Sequence, residues 1–405
     1  MQGLFLGAGA SYELGMPLVW ELTRILKRDH VPETLRKMQH YQSAGSATHW
    51  SEESVELLIS LLSDNDLHYE AVIGAIEVEA QRRRGPQESY ERIRLQLVDM
   101  VSRFLISQHR HEQKFTISGM KHATGLNKYI ESNRPLNIFS LNHDVMIEEI
   151  CTHLERPIKA GFHRSAEYWS SAFSGASFNF PFEVLTKANM ADGVFDFFKP
   201  GEEGVNLYKL HGALDTFLFN SCLDFVRFHP KEIKSGSHID MLAELNNENH
   251  RIEVEDGIRS IEMLTLKDSM GVEQFFDRSL ITGAFKFQGK SSGKRALRVF
   301  FEKFKTDIFF IKELICIGYS FGDLHINNII SDWLCSSADH RLIIVDPFCK
   351  AVPSFLLHLK KQILIEGKTF LDFLRNPPAT DHEKLEQYIF KKLREFRRLQ
   401  NFESI

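Results

Sequence analysis

Five short clusters in this sequence join small residues, which let a ligand approach the backbone, to side chains that hydrogen-bond or move protons. The first is Gly7-Ala8-Gly9-Ala10-Ser11, with Gly15-Met16-Pro17 close behind. Glycines there admit a pyrophosphate, and a following helix would aim its N-terminus at the charge. Tyr12 occupies the place of the third glycine in the strict dinucleotide fingerprint, and a structural turn with no ligand also explains the cluster. The second is Ser140-Leu141-Asn142-His143-Asp144. An amide at Asn142 suits ribose hydroxyls or a held water, and a carboxylate at Asp144 suits positive charge developing on a sugar; the alternative is a polar loop that caps a helix. The third is Leu210-His211-Gly212-Ala213. A histidine titrates near neutrality, so His211 is a candidate general base, although a lone histidine after a strand is more often structural. The fourth runs from Gly318 through Tyr319 and Ser320 to Asp323, and Gly318, Ser320 and Asp323 are candidates to hold phosphate or ribose. The fifth is Asp346, placed to meet a second ribose.

Each cluster follows a short apolar run. Leu4-Phe5-Leu6, Leu136 to Leu141, Val205 to Leu210, Leu314 to Ile317 and Leu342 to Val345 read as strands buried on both faces, as a parallel sheet requires. Helical spacing separates them, as at Leu18, Leu22, Ile25 and Leu26 and at Met146, Ile147, Ile150 and Cys151. Residues from about 31 to 134 are mainly helical, with Ser51 before Glu52 and Glu53 as one helix start. Residues 160–204 lack periodicity and read as loops and short strands, while 213–310 are ambiguous. From Asp381 an amphipathic helix carries Leu385, Ile389, Leu393, Phe396 and Leu399 on one side. Packing on its own core and contact with another chain are both open to it. The expected fold is α/β, a Rossmann-like doubly wound parallel sheet with a mainly helical insertion and a C-terminal helix. In such sheets ligands sit outside the carboxyl ends of the strands, where all five clusters fall.

The balance of 49 Lys and Arg against 54 Asp and Glu gives a net charge of −5, so no basic field argues for nucleic acid, and direct nucleic-acid binding is not expected. The short basic runs Arg82 to Arg84 and Lys391 to Arg398 read as solvated faces. No segment approaches the roughly 20 apolar residues of a membrane span. The stretch from Gly3 to Ala10 lacks the basic start of a secretory leader and reads as strand and turn. The five cysteines, Cys151, Cys222, Cys316, Cys335 and Cys349, are scattered without a C-x-x-C pair, which suits a reducing cytoplasm and offers no zinc framework.

The order of the clusters resembles the sirtuin family: a G-A-G-x-S turn, an N-x-D strand end, an H-G strand end, a G-x-S strand end and a final acidic strand end, scattered over about residues 3 to 347. The resemblance implies an NAD-binding catalytic domain over 1–350, with the helical insertion over about 31–134 and an irregular insertion over about 213–310, then a helical segment over 351–405. It implies that Gly7, Ala8, Gly9 and Ser11, with Gly15 and Pro17, line NAD, that Ser140, Gly318, Ser320, Asp323 and Asp346 contact the nucleotide, and that Asn142, His211 and Asp144 are catalytic. Sirtuin deacylases carry two C-x-x-C pairs between the histidine and the G-x-S segment; this chain has only Cys222 and Cys316 there, so no zinc is expected. Val19 and Trp20 stand where the deacylases carry an arginine. The sequence therefore looks more like the bacterial sirtuin-like NADases of antiphage defence, and most like the subunit that works with a HerA-like ATPase.

That resemblance implies an NAD glycohydrolase, acting in abortive infection, that releases nicotinamide and ADP-ribose. A cytoplasmic homo-oligomer, restrained at rest and partnered by a HerA-like ATPase, is the expected setting. Departure of nicotinamide would build an oxocarbenium-like ribose, as in glycoside hydrolysis. Asn142 would orient ribose and water, His211 would accept a proton and Asp144 would assist positioning. Two other readings remain: a non-catalytic NAD or ADP-ribose sensor, and a zinc-free protein deacylase or ADP-ribosyltransferase.

Overall fold

Seven of the strands are short and pair in parallel, the five inner ones largely buried. They belong to a series comprising β1 (Gln2–Leu6), β2 (Leu136–Ser140), β3 (Ile158–Lys159), β4 (Phe182–Leu185), β5 (Val205–Lys209), β6 (Thr216–Phe219), β7 (Asp224–Phe228), β8 (Met263–Lys267), β9 (Glu273–Arg278), β10 (Glu313–Ile317), β11 (Arg341–Val345) and β12 (Ile363–Glu366). The helices are α1 (Ala8–Tyr12), α2 (Val19–Asp29), α3 (Pro32–Ser43), α4 (Glu52–Ser63), α5 (Tyr69–Gln81), α6 (Gln87–Met120), α7 (Leu126–Ser132), α8 (Met146–His153), α9 (Lys187–Ala191), α10 (His238–Glu255), α11 (Ser292–Asp307), α12 (Leu324–Cys335), α13 (Phe370–Leu374) and α14 (Asp381–Glu403). This computed structural model describes residues 1–43, 50–82, 85–164, 180–221, 223–230, 236–255, 257, 263–268, 271–280, 292–378 and 380–403. Cys222, Arg83 and Arg84 lie outside the described residues.

The parallel sheet has the order β12-β11-β10-β1-β2-β5-β3. Side chains along its strands alternate between two apolar layers. Leu4, Leu6, Ile138, Leu207, Ile315 and Ile317 join the layer that includes the helical insertion. Phe5, Phe139, Tyr208, Cys316 and Ile344 join the opposite layer with Phe301 and Phe304 of α11 and Ile326, Ile330 and Trp333 of α12. Burial on both faces explains why these strands read as unbroken apolar runs. The chain starts at β1, builds outward through β2 and β5, then returns to add β10, β11 and β12 on the other side. The doubly wound α/β fold is thus present, with its topological switch between β1 and β10.

The helical insertion is present as α3 to α7, and Ser51 caps α4 by accepting from Ser54 N at 3.2 Å. The segment 213–310 includes regular elements among its described residues. Its strands β6 to β9 pair with β4 in an antiparallel sheet of order β4-β7-β6-β9-β8, and it also carries α10 and α11. Ion pairs tie this sheet and α10 to α6: Asp99 meets Arg278 of β9 at 3.0 Å in a buried pair and the half-buried Arg103 at 2.7 Å, and Arg103 meets Glu253 of α10 at 2.9 Å. A division at residue 350 would fall between β11 and β12, which are hydrogen-bonded neighbours in the main sheet. Among the described residues no helix is long and apolar enough to cross a membrane.

Candidate active site

The turn after β1 is built around its contact with β10. Gly7 N donates to Ile317 O and Gly9 N donates to Gly318 O, each at 3.0 Å. Gly318 has a φ of +61°, and a Cβ on it would stand 2.4 Å from Ala10 N and from the Gly9 carbonyl carbon. Only glycine fits that combination of a left-handed backbone and close backbone contact. In this arrangement the amides of Gly7 and Gly9 are used within the fold, and Ala8 and Ala10 belong to the single turn of α1.

The next strand end locks onto this turn. Asn142 Nδ2 donates to Gly7 O and to Ser11 Oγ, both at 2.9 Å, and Asn142 N donates to Ser140 Oγ at 3.1 Å. A carbonyl can only accept, so Nδ2 must face Gly7, and both its protons are committed. The amide orientation is thereby fixed, with Oδ1 as the group that can accept from a hydroxyl or a water. Ser11 and Ser140, expected to touch the nucleotide, serve here to hold Asn142. Lys209, buried at the end of β5, braces the same loop by donating to the carbonyls of Asn142 (3.3 Å) and Asp144. Its charge is answered by Glu148 at 3.4 Å, which also lies 3.4 Å from Arg227, and Arg227 pairs with Asp215 at 2.8 Å.

His211 follows β5, one strand over. Its Nε2 lies 3.4 Å from Asp323 Oδ2, and both side chains are nearly buried. The other carboxylate oxygen of Asp323 accepts from His325 N at 3.1 Å and Ile326 N at 3.4 Å, which caps α12. Tyr319 fixes the intervening loop: its single hydroxyl proton is shared between Asn327 Oδ1 at 2.9 Å and Asp323 O at 3.2 Å. The loop after β10 thus crosses the ends of β1 and β2 to reach β5. Gly212 holds His211 in place: its φ is +78°, and a Cβ there would stand 2.0 Å from Ser279 O. His143 lies beside the pair, with Nδ1 3.4 Å from Gly212 O and its ring 6.5 Å from that of His211.

The structure therefore brings Gly7, Gly9, Ser11, Ser140, Asn142 and Gly318 together, and it joins His211 to Asp323. Other candidates stand apart. Asp144 Oδ1 accepts from Met146 N at 3.1 Å and closes the turn that leads into α8, whose N-cap is Val145. Gly15 accepts from Gln108 of α6 at 2.9 Å, and Pro17 precedes α2. Asp346 closes its own turn by accepting from Phe348 N at 2.7 Å and Cys349 N at 3.2 Å. Ser320 is exposed. Reading the sequence overlooked Lys209, Tyr319 and His143. Lys209 carried a signal, since a lysine closing an otherwise apolar strand needs a buried partner.

In comparisons with known proteins, no family model matches this chain and none of the curated proteins matches it. The chemistry open to the site is set by its own geometry. A fixed amide with an acceptor oxygen stands one strand from a histidine backed by a carboxylate, at the carboxyl edge of a doubly wound sheet. His211 Nε2 stands 3.4 Å from Asp323 Oδ2, and a tautomer with its proton on Nε2 would leave the lone pair on Nδ1.

Proposed function

We propose that this chain binds NAD across the carboxyl ends of β10, β1, β2 and β5 and hydrolyses the nicotinamide–ribose bond. The observation that carries the reading is the meeting of four sequence-distant strand ends, in which the Gly7 turn clamps Asn142 beside the His211–Asp323 pair. Water attacks the anomeric carbon of the nicotinamide ribose. The C–N bond breaks as nicotinamide leaves neutral, taking the bonding electrons. The water proton passes to Nδ1 of His211, and Asp323 stabilises the resulting imidazolium. Asn142 Oδ1 orients a ribose hydroxyl or the water. Asp144 acts through the turn it closes ahead of α8.

The ordered resemblance of the five clusters to sirtuin-like NADases supports the same reading and extends it to a setting. There the chain is the NAD-depleting effector of a bacterial antiphage system, it resides in the cytoplasm, and a HerA-like ATPase partner relieves its restraint. The test incubates the full chain with NAD, alone and with a HerA-like ATPase, beside Asn142→Ala and His211→Ala. Nicotinamide and ADP-ribose in equal amounts, lost in both variants, is the expected result. Tight binding of unchanged NAD would assign the site to a sensor, and a modified protein product would assign it to group transfer.

A further inference from the structure

The C-terminal helix docks by a face other than its apolar stripe. Phe390 is buried, stacked on Phe115 of α6 at 5.1 Å and 4.8 Å from His122. Arg394 pairs with Glu13, Arg397 pairs with Glu112 of α6, and Arg397 also lies 4.4 Å over the Phe115 ring. These contacts hold α14 on α6 and fix its rotation. Leu385, Ile389, Leu393 and Phe396 are left 56%, 48%, 48% and 57% exposed. At 100° per residue they share one stripe, about a quarter turn from Phe390. Large apolar side chains grouped on a monomer surface mark an interaction site.

The stripe is self-complementary. Its spacings of 4, 4 and 3 residues are nearly palindromic about residue 391. A second helix lying antiparallel about a two-fold axis there sets Leu385 against Phe396 of the copy and Ile389 against Leu393. The charges match in the same register. Glu386 and Arg397 flank the stripe on one side, and the two-fold axis brings each opposite the other, with Arg397 already held by Glu112 of its own chain. The helix is net acidic at its start, where Asp381, Glu383 and Glu386 outnumber Lys384, and net basic toward its end, where Lys391, Lys392, Arg394 and Arg397 outnumber Glu395. An antiparallel pair therefore aligns opposite charges, whereas a parallel pair aligns like ones. We propose that α14 is the interface between two copies of this chain, paired antiparallel along Leu385, Ile389, Leu393 and Phe396. An interface of this kind uses the same patch on both subunits, so it closes at two.

The pairing stands or falls separately from NAD cleavage. Sedimentation of the full chain over a concentration series should give an even number of copies. Ile389→Glu with Leu393→Glu should halve that mass while leaving the thermal melt of the dilute protein unchanged, because both positions face solvent in the single chain. A second variant, Leu385→Cys with Phe396→Cys, tests the orientation. Within one helix these positions lie about 16 Å apart, beyond disulfide reach. Under oxidation the double variant should give a covalent dimer, and neither single variant should do so beyond the unmodified chain. A wild-type monomer would overturn the proposal and leave the stripe to a different partner. So would an unchanged mass in the glutamate variant, or a double-cysteine variant that stays uncrosslinked.

Discussion

Asp323 divides its carboxylate between two tasks, with one oxygen capping α12 and the other 3.4 Å from His211 Nε2. The division lets two substitutions separate the roles. Asn caps a helix as well as Asp does, whereas Ala forfeits about 1 kcal/mol. Asp323→Asn should keep the wild-type melting temperature yet lose the negative charge beside His211. NAD cleavage should fall, and the acid limb of its rate profile should move to lower pH, because an imidazolium loses its stabilising neighbour. Asp323→Ala should lose both activity and stability. His211→Ala should cost about 10²–10⁴-fold in nicotinamide release, the usual range for a general base. An unaltered rate profile in Asp323→Asn would remove Asp323 from the reaction.

Asn142 makes a sharper test of geometry. Asn142→Asp preserves shape but sets a carboxylate 2.9 Å from the Gly7 carbonyl, where two acceptors meet without a proton. The expected loss of stability at neutral pH is about 1–3 kcal/mol. Acidification should shrink the gap from wild type as the new carboxyl gains a proton it can donate to Gly7 O. Parallel urea titrations of the two proteins at neutral and mildly acid pH measure it, and a gap that stays constant with pH would mean that Nδ2 does not face Gly7.

The main sheet was legible because both its faces are buried, which leaves apolar runs such as Leu314 to Ile317 uninterrupted. β12 was not legible. It is an edge strand with Leu364 54% exposed, and its three apolar residues look like part of the helical stretch before them. The antiparallel sheet escaped notice because its strands carry buried charges. Arg227 sits inside β7, and only the fold reveals Asp215 and Glu148 as its partners. Periodicity likewise exposed the apolar stripe of α14, but a period identifies a face and not what covers it; Phe390, Arg394 and Arg397 decide the docking. At the site, the order of clusters singled out Asn142 and His211 as candidates, and the structure sets them after the neighbouring strands β2 and β5. Asp323 was marked as a nucleotide contact because its distance from His211 depends on a loop crossing two strand ends.

Backbone contact at the switch point should make Gly318 intolerant of even a methyl group. Gly318→Ala combines a positive φ with a Cβ 2.4 Å from two backbone atoms, neither of which can swing aside. Gly193 is the matched control, with a φ of +66° and nothing within 4 Å of its added Cβ. Gly193→Ala should cost about 1 kcal/mol from backbone strain alone, and Gly318→Ala at least about 3 kcal/mol. Thermal melts of the two variants check this, and equal losses would show that the turn and β10 separate readily.

His109 should impose an acid limit on stability. It is fully buried on α6, where its Nε2 accepts from Val145 N at 3.4 Å beside the Asn142 loop. Burial lowers its pKa from near 6.5 to about 4; the charge of Asp144 opposes that fall and Lys209 adds to it. Between those two values the unfolded chain takes up a proton that the folded chain refuses. Stability therefore falls as pH drops through this window, by up to about 1.4 kcal/mol per unit for this one group. Buried Glu148, Glu149 and Glu183 have pKa values raised by burial and work in the opposite direction, so the total slope is a sum of opposed contributions. Comparison with His109→Gln isolates the histidine, because the carboxyl contributions are common to both proteins. The variant should be less stable at neutral pH, having lost a fitted ring, yet its stability should fall less steeply on acidification. Urea unfolding at about pH 7.5, 6 and 5 gives both slopes. Equal slopes would mean that His109 is protonated in the folded protein, and that the loop bearing Asn142 is open enough to water to let that happen.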